Sequence, residues 1–277
     1  MSRIISGLVM AGGIIAVLML CDAWVMHLVA SIVGLIAAFE YHSMAAPNAT
    51  TLNRLLFVLS ALALGLQPLI DGAIHWPLQV AMGVVFIFTA VRHLAQPLPL
   101  NEATDRLSKD VLGLLYLGST LPFIILLRGL DSPQSTIDPN TGGWILLMVI
   151  IITALSDTGG YFAGRAFGKN KLFEAVSPKK TIEGAIGGFV CAIGGCFLMR
   201  SYVDVLNQLS VQDCIAIGVL GTIASIVGDL VESLVKRGYG VKDSGSIIPG
   251  HGGVLDRVDA LLFSAPVIFI YWGACIA

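Results

Sequence analysis

Charge is what this sequence has least of. Of its 277 residues only 12% are Asp, Glu, Lys or Arg, while 56% are hydrophobic. A water-soluble domain of this length carries about a quarter charged residues, so half of the usual polar coat is missing. With a mean hydropathy of +0.86, the composition excludes a fully hydrated surface and fits a chain whose main solvent is lipid.

Other absences narrow the reading further. No block of like charges forms an acidic tail or a basic arm, so no nucleic-acid partner is expected. The five cysteines (Cys21, Cys191, Cys196, Cys214, Cys275) have no CxxC spacing and sit in or beside apolar runs, as small buried residues do. There is no GxGxxG leading from a strand into a helix, no HExxH and no GxSxG. The stretch Gly164-Arg-Ala-Phe-Gly168-Lys169 resembles a P-loop at a glance, but Ala163 and Asn170 occupy its required Gly and Ser/Thr places. Internal repeats are absent, and no loop is long enough for a soluble domain.

What is present is a series of long apolar runs. Crossing a hydrocarbon core as a helix takes roughly 20 residues, and nine runs approach that length: 4–21, 24–40, 54–70, 73–92, 110–128, 143–166, 182–203, 213–235 and 254–276. They are continuous, without the alternation of barrel strands, so the expected fold is all-α: a polytopic transmembrane bundle of about nine spans. The run from Ile4 reads as a retained first span rather than a signal peptide. With the N-terminus in, all 16 Lys and Arg except Arg128 and Arg200 fall on or near the inner face. The positive-inside rule then gives N-in and C-out. Residues 1–142 form an N-terminal set of helices and 143–277 a second set with two long inner loops, together one membrane domain.

A charged side chain at mid-bilayer costs at least ~2.5–3.5 kcal/mol and calls for a function. Asp157, Asp229 and Glu232 lie within spans, and Asp110, Asp256 and Asp259 at span ends. Ser225, Asp229, Glu232 and Lys236 fall in one stripe on a helical face, and Asp256 and Asp259 share a face at the start of the last span. Both stripes run to the same inner loop, so Asp229 and Asp256 are expected to converge on one hard cation such as Mg²⁺. Asp157 fits either this site or a hydrogen bond within the bundle. Gly160, Gly164 and Gly168 read as helix packing, as do Gly184 and Gly188.

The loop Pro249-Gly-His-Gly-Gly253 leads into the last span, where glycines and the helix dipole favour a phosphate. His251 either positions that phosphate, acts as an acid, or simply holds the turn. His27, His42, His75 and His93 show no ligand spacing. In Ser177-Pro-Lys-Lys-Thr181, Lys179 and Lys180 contact either substrate phosphates or lipid headgroups.

The stretch from Ser233 to Asp259, with Ser233, Lys236-Arg237, Lys242-Asp243, Pro249, His251-Gly-Gly253, Asp256-Arg257 and Asp259 in order, resembles the motif of the phosphatidate cytidylyltransferases, also called CDP-diacylglycerol synthases. Ser156-Asp-Thr-Gly-Gly-Tyr-Phe-Ala-Gly164 and Ser177-Pro-Lys-Lys-Thr-Ile-Glu-Gly184 extend the resemblance over roughly residues 150–277, with Gly160 where that family often has Ala. The resemblance implies that CTP and phosphatidic acid give CDP-diacylglycerol and pyrophosphate with Mg²⁺, and a K⁺-like ion beside it. It also implies a homodimer; the short chain with no soluble appendage suggests a bacterial inner membrane, and the basic inner loops put the site on the cytosolic side. The resemblance assigns metal binding to Asp229 and Asp256, with Asp259 beside them. Lys236, Lys242, Asp243, His251 and Arg257 join these aspartates in catalysis. Ser177, Lys179, Lys180, Thr181, Ser233, Arg237, Gly252, Gly253 and Asp157 bind substrate. Two other functions compete with this one: a CTP-dependent polyprenol or other lipid kinase, and an ion-coupled transporter lined by Asp157, Asp229 and Glu232.

Overall fold

The computed structural model describes residues 2–69, 77–96, 99–130, 140–248, 250 and 252–276. Among them, ten α-helices follow one another: α1 (Ser2–Leu20), α2 (Ala23–Ala45), α3 (Thr51–Gly65), α4 (Leu78–Leu94), α5 (Leu100–Gly118), α6 (Pro122–Arg128), α7 (Thr141–Phe167), α8 (Ile182–Tyr202), α9 (Val211–Gly238) and α10 (Leu255–Cys275). Each of the nine apolar runs coincides with one or two of these. Among the described residues six stretches are long and apolar enough to cross a membrane: α2, α5 with α6, α7, α8, α9 and α10. Helices α3 and α4 and the apolar part of α1 are shorter. The bundle is that of an integral membrane protein. Its outer faces carry exposed Trp24, Leu28, Phe86, Ile87, Val190 and Ile270, an apolar coat that water would not tolerate.

Local signals set the helix ends. Thr50 Oγ1 accepts from Asn53 N at the start of α3, and Ser210 with Asp213 forms a reciprocal capping box on α9. The run expected at 110–128 begins earlier, at Leu100. Its first turns are amphipathic, with Arg106–Glu102 and Lys109–Asp105 pairs at 2.9 and 2.6 Å on the exposed side.

Helices α7, α8, α9 and α10 pack against one another, while α2, α3, α4 and α5 form a second group; α2 and α6 both touch α10. The α7–α8 seam is built of glycine. A Cβ on Gly159 would lie 2.7 Å from the Gly187 carbonyl oxygen, and one on Gly184 would lie 2.8 Å from that of Gly160. These are backbone-to-backbone contacts of the small-residue kind. Between α7 and α8 the expected loop is instead a short antiparallel hairpin, β1 (Lys171–Phe173) and β2 (Ser177–Thr181), the one departure from all-α architecture among the described residues.

The second helix group holds a polar cluster. Buried Asp110 of α5 accepts from Arg92 and lies 2.8 Å from His93 Nε2 and 3.4 Å from His42 Nε2. His42 and His93, which lack ligand spacing in sequence, thus meet around one carboxylate and form a neutralised knot between α2, α4 and α5.

Candidate active site

The hairpin and α9 bring opposite charges together. Lys180 Nζ, from β2, lies 2.6 Å from Asp229 Oδ2, and Ser233 Oγ, one turn on, lies 3.2 Å from Asp229 Oδ1. Around this pair is a cavity of about 260 Å³ lined by Ser156, Asp157, Gly160, Tyr161, Leu172, Lys179, Lys180, Thr181, Gly184, Ala185, Gly188, Ile226 and Asp229. Four charged side chains, Lys179 and Lys180 against Asp157 and Asp229, therefore share a pocket whose other walls are Ser156, Tyr161, Thr181 and apolar or glycine residues. Thr181 is buried and its hydroxyl accepts from Gly184 N at 3.1 Å, capping α8. Ser177 opens β2 outside the cavity wall. Glu183 steadies the hairpin base: its carboxylate accepts from Lys169 N at 3.1 Å and from Asn170 Nδ2 at 2.7 Å.

A second charged centre lies farther along α9. Lys236 Nζ donates to Glu232 and, at 2.6 Å, to Asp256 Oδ1 of α10. Asp256 also accepts from Ser244 N at 3.0 Å and from Gly253 N at 2.8 Å. Asp259 is buried, and its Oδ1 accepts from Ala260 N at 2.7 Å. Gly228 packs against its backbone, where a Cβ would lie 2.6 Å from Asp259 O. The hydrogen bonds and ion pairs of Asp229, to Lys180 and Ser233, and of Asp256, to Lys236, Ser244 and Gly253, go to different residues. The two aspartates sit on neighbouring helices, with Lys236 seven residues, about 10 Å of axial rise, past Asp229.

The expectation that the glycine-rich entry to the last span leaves its amides open to an anion is not what the structure has. The N–H of Val254 and Leu255 donate to Glu40 at 3.0 and 2.9 Å, and Gly253 N donates to Asp256. The orphan donors of this helix start are taken by the protein's own carboxylates. The glycines serve the turn instead: Gly252 has φ +83°, and a Cβ on Gly253 would lie 2.6 Å from Glu40 Oε2. Arg237 Nη1 donates to Val241 O at 3.0 Å. Arg237, Lys242, Asp243 and Arg257 are exposed around the same end of the bundle. His251, and His75 in the first half, lie outside the described residues.

The acids exceed the bases here. Asp157, Asp229, Glu232, Asp256 and Asp259 interact electrostatically with one another and with Lys180, Lys236 and Arg257; with Lys179 of the cavity counted as well, one formal negative charge is left over when all are ionised. Glu232 Oε1 is buried without a hydrogen-bond partner. An all-oxygen donor set, uncompensated negative charge and an orphaned buried carboxylate oxygen fit a hard divalent cation. Among the described residues no three carboxylate, imidazole or thiol groups already close into a cage; Lys180 and Lys236 draw the acids to themselves.

Four contributors were not anticipated from the sequence. Tyr161, Leu172 and Ile226 line the cavity but look like ordinary span or loop residues. Glu40, the last residue of the 24–40 run, is 3% exposed; an acid ending an apolar run was the available signal.

The profile of the cytidylyltransferase family matches residues 1–275. The chain belongs to the cytidylyltransferase family. Individual members resemble it over shorter stretches. A phosphatidate cytidylyltransferase of Haemophilus influenzae is 41% identical over 165 residues, covering 58% of this chain and 57% of that protein. One from Staphylococcus haemolyticus is 44% identical over 125 residues, 45% of this chain and 47% of its own length. The chloroplastic phosphatidate cytidylyltransferase 5 of Arabidopsis thaliana is 38% identical over 186 residues, 62% and 46% of the two chains. The chain thus spans about half the length of the curated relatives it matches.

Proposed function

We propose that this member of the family is a phosphatidate cytidylyltransferase, a nucleotidyltransferase of phospholipid biosynthesis that converts CTP and phosphatidic acid to CDP-diacylglycerol and pyrophosphate. The observation that carries the reading is the meeting of hairpin Lys180 with intramembrane Asp229 at one cavity. The names of the relatives support it. So does the lipid-facing bundle, which brings an acyl-chain substrate to the cavity without removing it from its solvent.

The reaction joins two anions. A phosphate oxygen of phosphatidate forms a bond to the α-phosphorus of CTP, and the bond from that phosphorus to the pyrophosphate oxygen breaks. The attacking oxygen is already anionic, so no strong base is required. The greater barrier is repulsion. Lys179 and Lys180 lower it from the hairpin, while Lys236, Arg237, Lys242 and Arg257 supply positive charge from the ends of α9 and α10. Ser233 and Asp157 orient groups beside Asp229. Asp229, with Glu232, Asp256 and Asp259 beside it, would hold Mg²⁺, and a monovalent ion such as K⁺ is a second candidate for the same set. Bound there, the divalent ion offsets triphosphate charge.

We further propose nine spans with the N-terminus in and the C-terminus out, a bacterial inner membrane, a cytosolic site and a homodimer. The distribution of Lys and Arg supports the orientation. The test is an assay of purified full-length protein with radiolabelled CTP, phosphatidate and Mg²⁺, with and without chelator. Labelled CDP-diacylglycerol and free pyrophosphate are expected, with turnover lost on chelation. Asp229→Asn and Asp256→Asn are expected to lower kcat on the order of 100-fold or more in protein that remains folded in detergent. Near-normal turnover in both variants defeats the assignment; a lipid monophosphate with CDP identifies a kinase instead.

A further inference from the structure

Glu40 lies at the inner end of α2, in the half of the chain the motif does not reach. Its carboxylate is buried, and its hydrogen-bond partners lie outside the cavity wall. Instead it grips both ends of the loop that joins α9 to α10. Oε2 accepts from Ser244 Oγ at 3.2 Å and from Leu255 N at 2.9 Å, and Oε1 accepts from Val254 N at 3.0 Å. Asp256 closes the same loop from inside, accepting from Ser244 N and Gly253 N while it holds Lys236. Ser244 is common to both carboxylates, through its hydroxyl to one and its amide to the other.

The neighbouring residue repeats the attachment. Tyr41 Oη lies 3.1 Å from Tyr239 Oη, at the end of α9, and donates to Lys109 O at 2.9 Å. The end of α2 thus braces α9, the loop and the first turn of α10. Without Glu40, two helix-start N–H groups and a buried hydroxyl lose their acceptor, and Asp256 alone must hold the loop.

We propose that Glu40 is a positioning residue for the transfer reaction: from α2 it fixes both ends of the 244–255 loop and so sets Asp256 against Lys236. This rests on the reaction assigned above. Glu40→Gln is the informative change, because it keeps the shape but turns an NH₂ toward a backbone N–H that needs an acceptor.

The experiment compares wild type and Glu40→Gln, full length in detergent–lipid micelles, for steady-state kinetics per folded molecule and for hydrogen exchange of the 243–257 segment. We expect kcat to fall on the order of 10-fold, as for other groups that orient a site carboxylate, with KM for CTP within about 2-fold, and exchange in that segment to rise. A purely structural role would change the folded fraction and leave kcat per folded molecule untouched. Unaltered kcat, or unaltered exchange, overturns the proposal. If wild type makes no CDP-diacylglycerol, the assigned reaction fails, and exchange alone then decides whether Glu40 clamps the loop. Should the Gln variant not accumulate, Glu40→Asp, which keeps the charge on a shorter stem, is measured against the same criteria.

Discussion

Lys180 and Lys236 each neutralise an intramembrane acid, but their surroundings differ. The Lys180 and Asp229 side chains are 23% and 32% exposed, whereas Lys236 and Glu232 are at 10% and 1%. A partly solvated pair contributes little to stability, and breaking a buried one leaves uncompensated charge. Lys180→Met is therefore expected to shift unfolding by about 1 kcal/mol or less while turnover collapses. Lys236→Met, which strands both Glu232 and Asp256, is expected to cost about 3–5 kcal/mol. Denaturant titration in detergent, paired with the transfer assay, separates the two. At this scale the sequence was informative where partners share a helix: the i, i+3 and i+7 stripe of Asp229, Glu232 and Lys236 is fixed by helical geometry. It was silent where they do not. The Lys180–Asp229 pair depends on how a hairpin folds back, and Glu40 meets Ser244 across a separation of 204 residues, so neither follows from local spacing. That the Val254 and Leu255 amides go to Glu40 was illegible for the same reason, since Glu40 comes from a distant helix.

Among the elements, the α7–α8 seam carries a tight packing constraint. A Cβ on Gly187 would lie 2.9 Å from Gly159 O and collide with Ala163 Cβ, while Gly194 on the same helix has nothing within 4 Å. Gly187→Leu is expected to destabilise by about 1–3 kcal/mol or more, and Gly194→Ala to stabilise by up to about 1 kcal/mol through helix propensity. Thermal unfolding of the two variants against wild type checks both signs. Four-residue glycine spacing made this packing legible in advance. The β1–β2 hairpin was not legible, because strands of three and five residues give no usable periodicity, and lysine with proline suits a loop equally well.

For the whole molecule, nine apolar runs were visible because each is bounded by polar residues, and each coincides with helix. Length is where sequence and structure part: α3 and α4 fall short of the length taken by a perpendicular span. The polar knot of Asp110 with Arg92, His93 and His42 could not be read from spacing, since its members come from three helices. The proposed orientation has a direct consequence for Cys275, which is exposed at the end of α10. A membrane-impermeant maleimide is expected to label Cys275 from the outer face of spheroplasts, and a cysteine placed at exposed Lys242 only after the cells are opened. Labelling of both from one face would reverse or break the map.

The glycine seam also decides which parts of the cavity wall are free to move. Main chain against main chain offers no rotamers to turn and no slack to take up, so α7 and α8 travel as a single rigid slab, with the hairpin mounted on it. Any widening of the entrance then falls to the opposite wall, where Ile226 and Asp229 of α9 face the slab and Lys180 reaches across to Asp229.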